Sequence, residues 1–364
     1  MIYVPMLKTR REELSVSKKL NYCFSDNIIP LFEILTDKYE TRYEIDAITK
    51  SFVYELKGKR RMRKKAKPTD SDIITLDYIN RLIENRKAFI DYFRFSIEKY
   101  SRNVDIGRTD LAWKLSHDSG LYKKKILEIS KYKNLIPTIS IKPGFHFKKN
   151  ELESFIMEIQ DDNEAIGLRI TEEWFKEDSE IIKKTLRKTD FLLFDIGEQN
   201  PSSKIMEFYE IEELGTNATT ILLNSPRKAK IVNGEYVEHG ITELIDNSAK
   251  ELYKDYGFEG FGDYCGLKDS IPLNDKSNGK GTALVLLYDY KENSFYSFLH
   301  PDSSQGVNGY YQLIPVILNS KSVFDPFNNC PAINKIENLK GPGNWSTWHN
   351  INITRYIHQM YSNL

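Results

Sequence analysis

The chain has little of what usually announces a function outright. Among its 364 residues are three cysteines, Cys23, Cys265 and Cys330, with no CxxC pair. A zinc ribbon or a disulfide framework is therefore not indicated, and a reducing compartment is the simplest setting. Neither sign of charge dominates: 52 Lys and Arg residues balance 52 Asp and Glu, which excludes a globally basic coat for nucleic acid or membrane. No apolar run approaches the roughly 18–20 residues that cross a bilayer. No leader pattern of basic, apolar and small residues stands before the first strand signal, so the sequence reads as cytoplasmic with no membrane partner. Six histidines (His117, His146, His239, His300, His349 and His358) lack HxH or HExxH spacing, which argues against a structural zinc site. A GxSxG elbow, a Walker loop and a GxGxxG fingerprint are missing too. Gly279-Lys280-Gly281-Thr282 lacks the first Walker glycine and the strand–loop–helix order.

What the chain does have is a rhythm. Apolar strand signals recur at Ile2–Leu7, Ile28–Ile34, Ala88–Phe93, Leu135–Ile141, Ala165–Ile170, Phe191–Ile196, Thr219–Leu223 and Phe258–Tyr264. Helical stretches follow most of them, at Glu12–Leu20, Leu76–Arg86, Leu121–Tyr132, Glu151–Gln160, Glu177–Arg187, Lys204–Leu214 and Ile241–Tyr256. Alternation of this kind marks parallel βα units. Eight units predict an α/β fold, a closed (β/α)8 barrel of the TIM type, which typically takes about 250 residues. From about Leu267 the rhythm breaks. A polar loop at Asn274–Gly281 leads into a hairpin, Thr282–Tyr290 and Ser294–Leu299, joined by Lys291-Glu292-Asn293. An apolar run at Leu313–Leu318 and a helix near Ile351–Tyr361 follow. Residues 1–266 are thus expected to hold the barrel strands and helices. Residues 267–364 are expected to form a C-terminal insertion with the hairpin and the barrel-closing helices, one domain overall, with a separate appendix as the alternative.

A barrel places its chemistry at the C-terminal ends of its strands. Those ends carry Lys8, Glu33, Asp91, Lys142, Arg169, Asp195, Asp263 and Tyr264. If Glu33 points into the barrel, alternation along the strand turns Leu31 and Ile29 the same way, and the same parity puts Asp195 inward with Leu193 and Lys8 inward with Met6 and Val4. An inward charge is costly unless it reaches the open mouth or a partner. The expectation is a mouth in which Lys8, Asp91, Lys142 and Arg169 bind an anionic ligand, and Glu33, Asp195, Asp263 and Tyr264 are catalytic. The carboxylates would act as general acid or base, or hold a divalent cation. The plainer alternative is a set of internal ion pairs that satisfy one another. For Asp263, between Gly262 and Tyr264, that alternative is a strand-terminal turn in which it accepts backbone N–H bonds. Trp345, Trp348 and His349 precede the last helix and read as a core edge, or as a stacking platform beside the mouth.

One local charge run stands out from the balanced whole. About forty residues separate the second strand from its helix, and they contain Lys57–Lys67, with eight basic residues and no acidic one. Lys59, Arg60, Arg61, Arg63, Lys64 and Lys65 are candidate contacts to nucleic-acid phosphates on the mouth side. Only Phe52 and Tyr54 lie nearby in sequence, so base stacking is not expected, and a solvated loop is the alternative.

The opening Tyr3-Val4-Pro5-Met6-Leu7-Lys8 with Glu12 or Glu13 soon after, and Pro30-Leu31-Phe32-Glu33-Ile34, resemble the N-terminal signature of the phage beta-protein family. Gly262-Asp263-Tyr264 and the Trp-containing C-terminal stretch are also similar. The resemblance covers most of the chain and is weakest over the basic insertion and the hairpin. It implies a phage- or mobile-element-associated setting in antiviral defence, with a partner protein from a defence operon, and it carries over no catalytic residues. The combined expectation is an enzyme acting on a phosphorylated nucleotide or nucleic-acid ligand at the strand C-terminal face. The alternative is a non-catalytic sensing module that recognises a phage component or a partner protein.

Overall fold

Eight short strands, mostly apolar and almost wholly buried, need neighbours on both sides and cover on both faces, which a closed parallel sheet ringed by helices supplies. The computed structural model, which describes residues 1–100, 103–274 and 281–364, shows this arrangement. The barrel strands are β1 (Ile2–Lys8), β2 (Leu31–Ile34), β5 (Ala88–Tyr92), β6 (Leu135–Ile141), β7 (Gly167–Thr171), β8 (Phe191–Asp195), β9 (Thr219–Leu223) and β11 (Gly260–Asp263). All are parallel, and they close in the order β1-β11-β9-β8-β7-β6-β5-β2. This is a (β/α)8 barrel of the TIM type. The remaining strands lie outside it: β3 (Tyr54–Lys57) pairs with β4 (Arg60–Arg63), and β10 (His239–Thr242), β12 (Leu284–Asp289) and β13 (Ser294–Leu299) form an antiparallel sheet.

Strand register decides what fills the interior, because residues level with one another on parallel strands point to the same side. Lys8 is level with Glu33, and Glu33 with Asp91. Ser140 is level with Arg169, and Thr171 with Asp195. The polar side chains therefore gather at the C-terminal end, while Phe89 and Phe191 meet edge to face at 4.9 Å nearer the opposite end. Seam closure depends on β11, whose Gly260 and Gly262 are level with Ile2 and Val4. A Cβ on Gly262 would lie 2.5 Å from the Val4 carbonyl oxygen and 2.7 Å from a Leu223 methyl.

Helices cover the outside. Those at Thr75–Leu82, Lys149–Asp162 and Glu172–Thr185 turn Ile79 and Leu82, Phe155 and Ile159, and Ile181 and Ile182 onto the strands. The sequence-based helix at Ile241–Tyr256 is corrected. Ile241 belongs to β10, which pairs with β13, and only Ala249–Leu252 is α-helical before a 3-10 turn at Tyr253–Tyr256. The outer sheet thus draws one strand from before β11. The last helix, Trp345–Asn363, is capped reciprocally by Asn344 and Thr347 and lays Ile353, Tyr356, Ile357 and Met360 against the barrel. Trp348 instead stacks on Tyr310 at 4.5 Å in a second core beneath β12 and β13. Most of the loop expected at 274–281, including Gly279 and Lys280, lies outside the described residues.

Gly262→Ala is expected to destabilise the protein by about 1–3 kcal/mol, the usual cost of overpacking a core without slack. A urea melt with unchanged slope and a lowered midpoint is the expected signature; an unchanged midpoint would mean that the seam can open.

Candidate functional site at the barrel mouth

Arg169, near the end of β7, is the centre of the mouth. Its Nη1 donates to Glu33 Oε1 at 2.6 Å and to Asp91 Oδ2 at 2.9 Å, and its Nε donates to Asp195 Oδ2 at 2.8 Å. The Tyr264 hydroxyl donates to the same Glu33 oxygen at 2.8 Å. Lys8 bridges the other Glu33 oxygen and Asp269 Oδ1, and its ammonium lies 4.3 Å from the Tyr264 ring centre. Asp269 also accepts from Lys99 at 3.0 Å and from the Tyr100 hydroxyl at 2.8 Å. Burial alone would raise the Glu33 carboxyl, but Lys8 and Arg169 outweigh it and hold the group at about 2. Asp269 is likewise held well below the usual carboxylate range by Lys8 and Lys99, against its burial. Burial drives the Tyr264 phenol well up, so it stays a donor.

Local backbone chemistry sets these side chains. After β6, Lys142-Pro143-Gly144-Phe145 is a tight turn, with Gly144 at φ +81° and the Phe145 N–H donating to the Lys142 carbonyl at 2.8 Å. Pro then Gly is the sequence such a turn favours. It folds the chain so that the Lys142 ammonium lies 4.2 Å from the centre of the Phe93 ring. After β8, Asp195 Oδ1 accepts the Gly197 N–H at 2.9 Å, which leaves Oδ2 for Arg169.

Above this network opens a cleft of about 390 Å³, lined among others by Arg94, Lys99, Tyr100, Lys142, Phe145, Arg169, Thr171 and Asp195. Lys8, Glu33, Asp91 and Tyr264 lie beneath its floor. Two cations of the mouth have no carboxylate at ion-pair distance among the described residues. Arg94 donates to the Ser140 carbonyl at 2.6 Å and stacks over Tyr122. Lys142 has only the Phe93 ring, and burial pulls its ammonium down to about 7 although Asp91 favours the charged form. Two oxygens are also unspent: Asp91 Oδ1 and Thr171 Oγ1 are buried without a hydrogen-bond partner among the described residues.

The sequence-derived residues therefore divide. Lys8, Glu33, Asp91, Lys142, Arg169, Asp195 and Tyr264 converge on one mouth. The placement of Asp263 there is corrected: it is level with Pro5, one residue out of phase with the inward set, and points toward the helices. There it accepts from Tyr3 at 3.1 Å, from Tyr356 of the last helix at 2.5 Å and from the Cys265 N–H at 2.7 Å. Burial raises its carboxyl to about 6 against those donors. The divalent-cation expectation meets a donor set that does not fit, since Glu33, Asp91 and Asp195 close on a guanidinium. No group of three or more metal-binding side chains occurs among the described residues. His146 stacks on Trp174, and His300 bonds Gln312 away from the mouth. Arg94, Lys99, Tyr100 and Asp269 were missed, because Arg94 and Asp269 sit on loops and Lys99 and Tyr100 on a single helical turn, Ile97–Tyr100, too short to show a period. Cys265 and Gly266 are left-handed, at φ +53° and +75°, and the chain turns back there to bring Asp269 in; in the sequence Gly266 is the sign of that turn.

Arg169→Met should cost about 3–5 kcal/mol, because it strands buried carboxylates. The depressed Glu33 pKa stabilises the fold above pH 4.5, and that contribution is lost as pH falls to about 2. The variant should therefore lose its acid tolerance at a higher pH in circular-dichroism titrations. Asp263 runs the other way. Its raised pKa stabilises the folded state most below pH 3.8, and the contribution declines as pH rises to about 6. Asp263→Asn should flatten that decline in urea melts and leave the mouth intact.

With the geometry in place, comparison with known proteins adds the following. The model of the family described as Beta protein matches residues 3–362. No curated protein matches the chain. Among solved structures, dihydropteroate synthase from Anaplasma phagocytophilum with bound 6-hydroxymethylpterin-monophosphate is similar over 61% of this chain and 92% of its own, at 10% identity and a TM-score of 0.27. So distant a likeness says nothing of ligand or reaction.

Proposed function

This chain belongs to the Beta protein family, and we propose that its barrel is an enzyme that takes a small anionic ligand, a phosphorylated nucleotide by chemistry, into the mouth cleft. The observation that carries this reading is Lys142. On the floor, Glu33, Asp91, Asp195 and Asp269 meet Lys8, Lys99 and Arg169 in ion pairs, and Arg94 is the fourth cation. Lys142 is the fifth and has no carboxylate at ion-pair distance among the described residues. An anionic group beside it would restore the full ammonium that burial disfavours. With its amine at about 7 before a ligand arrives, Lys142 takes up a proton as the anion binds and can then return it to the ligand as a general acid near neutral pH. Phe93, Phe145 and Tyr100 around the cleft suit a planar ring, and Thr171 Oγ1 supplies a hydrogen-bonding group.

A second reading has its own support. Among the described residues every carboxylate of the floor is engaged by a cation, as in a mouth built to dock a ligand and hold it. In that reading the barrel is a sensing module for a phage component or a partner protein from a defence operon. No helix among the described residues is long and apolar enough to cross a membrane.

The two readings part on turnover. Calorimetric titration with nucleoside mono-, di- and triphosphates should detect binding that weakens as pH rises from about 7 toward 9, because the ligand must draw a proton onto Lys142. Lys142→Met should weaken it about tenfold or more, the value of a hydrogen bond to a charged group, and Lys142→Arg should retain part of it. The methionine variant should be at least as stable at pH 6, since a depressed lysine pKa means that the folded state carries its charge at a cost there. Consumption of a bound nucleotide by the wild type supports the enzyme. Binding without turnover supports the module, and unchanged affinity in Lys142→Met removes both assignments to this cleft.

A further inference from the structure

The long connection after β2 is no solvated loop. Between residues 39 and 67 none of the side chains is buried, yet the segment keeps an ordered ladder. The Val53 N–H donates to the Glu44 carbonyl at 2.9 Å, Lys64 to Val53 at 2.9 Å, Glu44 to Lys64 at 2.9 Å and Ala66 to Arg42 at 3.0 Å. β3 and β4 turn at Gly58, which has φ +62°. Ten basic residues face three acidic ones between Arg42 and Lys67, in a chain whose total charge is zero. This arm therefore concentrates positive charge that the rest of the molecule offsets.

Register places chemistry on one face of it. Tyr54 is paired with Arg63 and Leu56 with Arg61, so these four point the same way. The Arg61 guanidinium lies 4.4 Å from the Tyr54 ring centre, and that of Arg63 lies 4.1 Å from Phe52 and 5.7 Å from Tyr43. Tyr43 meets Phe52 edge to face at 6.1 Å. The row of flat π surfaces and guanidinium planes remains accessible, with the three rings 38–45% exposed. A hollow of about 430 Å³ lined by Ile45, Phe52, Tyr54 and Arg61 opens beside it. Tyr43 lies far from the basic run in sequence, and Phe52 and Tyr54 join the charge row only through strand pairing. The stacking surface is therefore invisible to composition, and the expectation that stacking is unsupported is corrected to that extent.

We propose that this arm binds single-stranded nucleic acid, with bases stacked on Tyr54, Phe52 and the Arg61 and Arg63 planes and phosphates held by the surrounding lysines. Flat faces alternating with guanidinium groups match splayed bases. A duplex hides its base faces, and an acidic protein offers no stack of rings. Leu56, 79% exposed, adds an apolar contact that a merely solvated charge run would not keep. The proposal stands apart from the mouth cleft, so either can fail without the other.

The test uses the full chain and fluorescently labelled mixed-sequence single strands of roughly 20 nucleotides, DNA and RNA, read by anisotropy at about 50 mM salt and above. Binding is expected to weaken steeply with salt, with single strands preferred over the matched duplex. The combined variant K59Q/R60Q/R61Q/R63Q should weaken binding at least tenfold and flatten the salt slope by about 0.7 for each phosphate contact removed. Tyr54→Ala should weaken it about fivefold or more with the slope unchanged, and Tyr54→Phe should restore it. Ultraviolet crosslinking of the wild-type complex should place the strand on the peptide containing Tyr54, a readout that does not depend on any variant folding. The proposal is overturned by absence of binding at low salt, by equal affinity for duplex, or by unchanged binding in Tyr54→Ala. Arm-dependent binding to phosphatidylserine vesicles in place of nucleic acid would overturn it as well.

Discussion

The guanidinium of Arg169 lets four strands of this barrel end in charge. Glu33, Asp91 and Asp195 come from β2, β5 and β8, and all three close on one side chain from β7. A planar fork with several donors meets carboxylates from different directions, which a lysine at the same place could not do. Without it the inward-facing acids would repel one another at the one end of the barrel that has no apolar filling. Lys8 then works as an outer clamp, tying Glu33 to Asp269 and through it to Lys99 and Tyr100 on the short helix after β5. The mouth is best described as a charge lattice with a cleft on top.

That lattice changes which residues can meet a ligand. The side chains most conspicuous in the strands, Lys8 and Glu33, are the ones most completely enclosed. Those at the cleft surface come from a turn (Lys142), from a single helical turn (Lys99, Tyr100) and from the outward ends of β7 and β8. Strands supply the rigid base and the segments after them supply contact, the usual division of labour in this fold.

The barrel was legible in the sequence because period and length are local properties. Each strand run is four to seven residues long and too apolar to be anything but two-sided. With Glu33 taken as inward, alternation carried Leu31 with it and the same parity placed Lys8 and Asp195 inward. Asp263 shows where that reasoning stops. Its phase relative to β1 is set by pairing, and a single residue of register moves a side chain from the lumen to the helix layer. Asp269 lay on a loop with no period to follow. The hairpin β3–β4 was hidden for a related reason: a charge run looks the same whether it is solvated or laddered. Only the pairing of Arg63 with Tyr54 reveals a face.

The misplaced Asp263 has a consequence for how the molecule assembles. It joins Tyr3, 260 residues earlier, to Tyr356, 93 residues later. β1 must therefore wait for β11 before its second edge is covered, and the joint is complete only when the last helix arrives. Contacts this distant in the chain carry a large closure entropy and favour slow folding. During synthesis the first strand would emerge long before its partner, with an open parallel edge exposed. Until β11 arrives that edge is open to pairing with another chain, so the seam between β1 and β11 is the joint on which productive folding of the nascent chain depends.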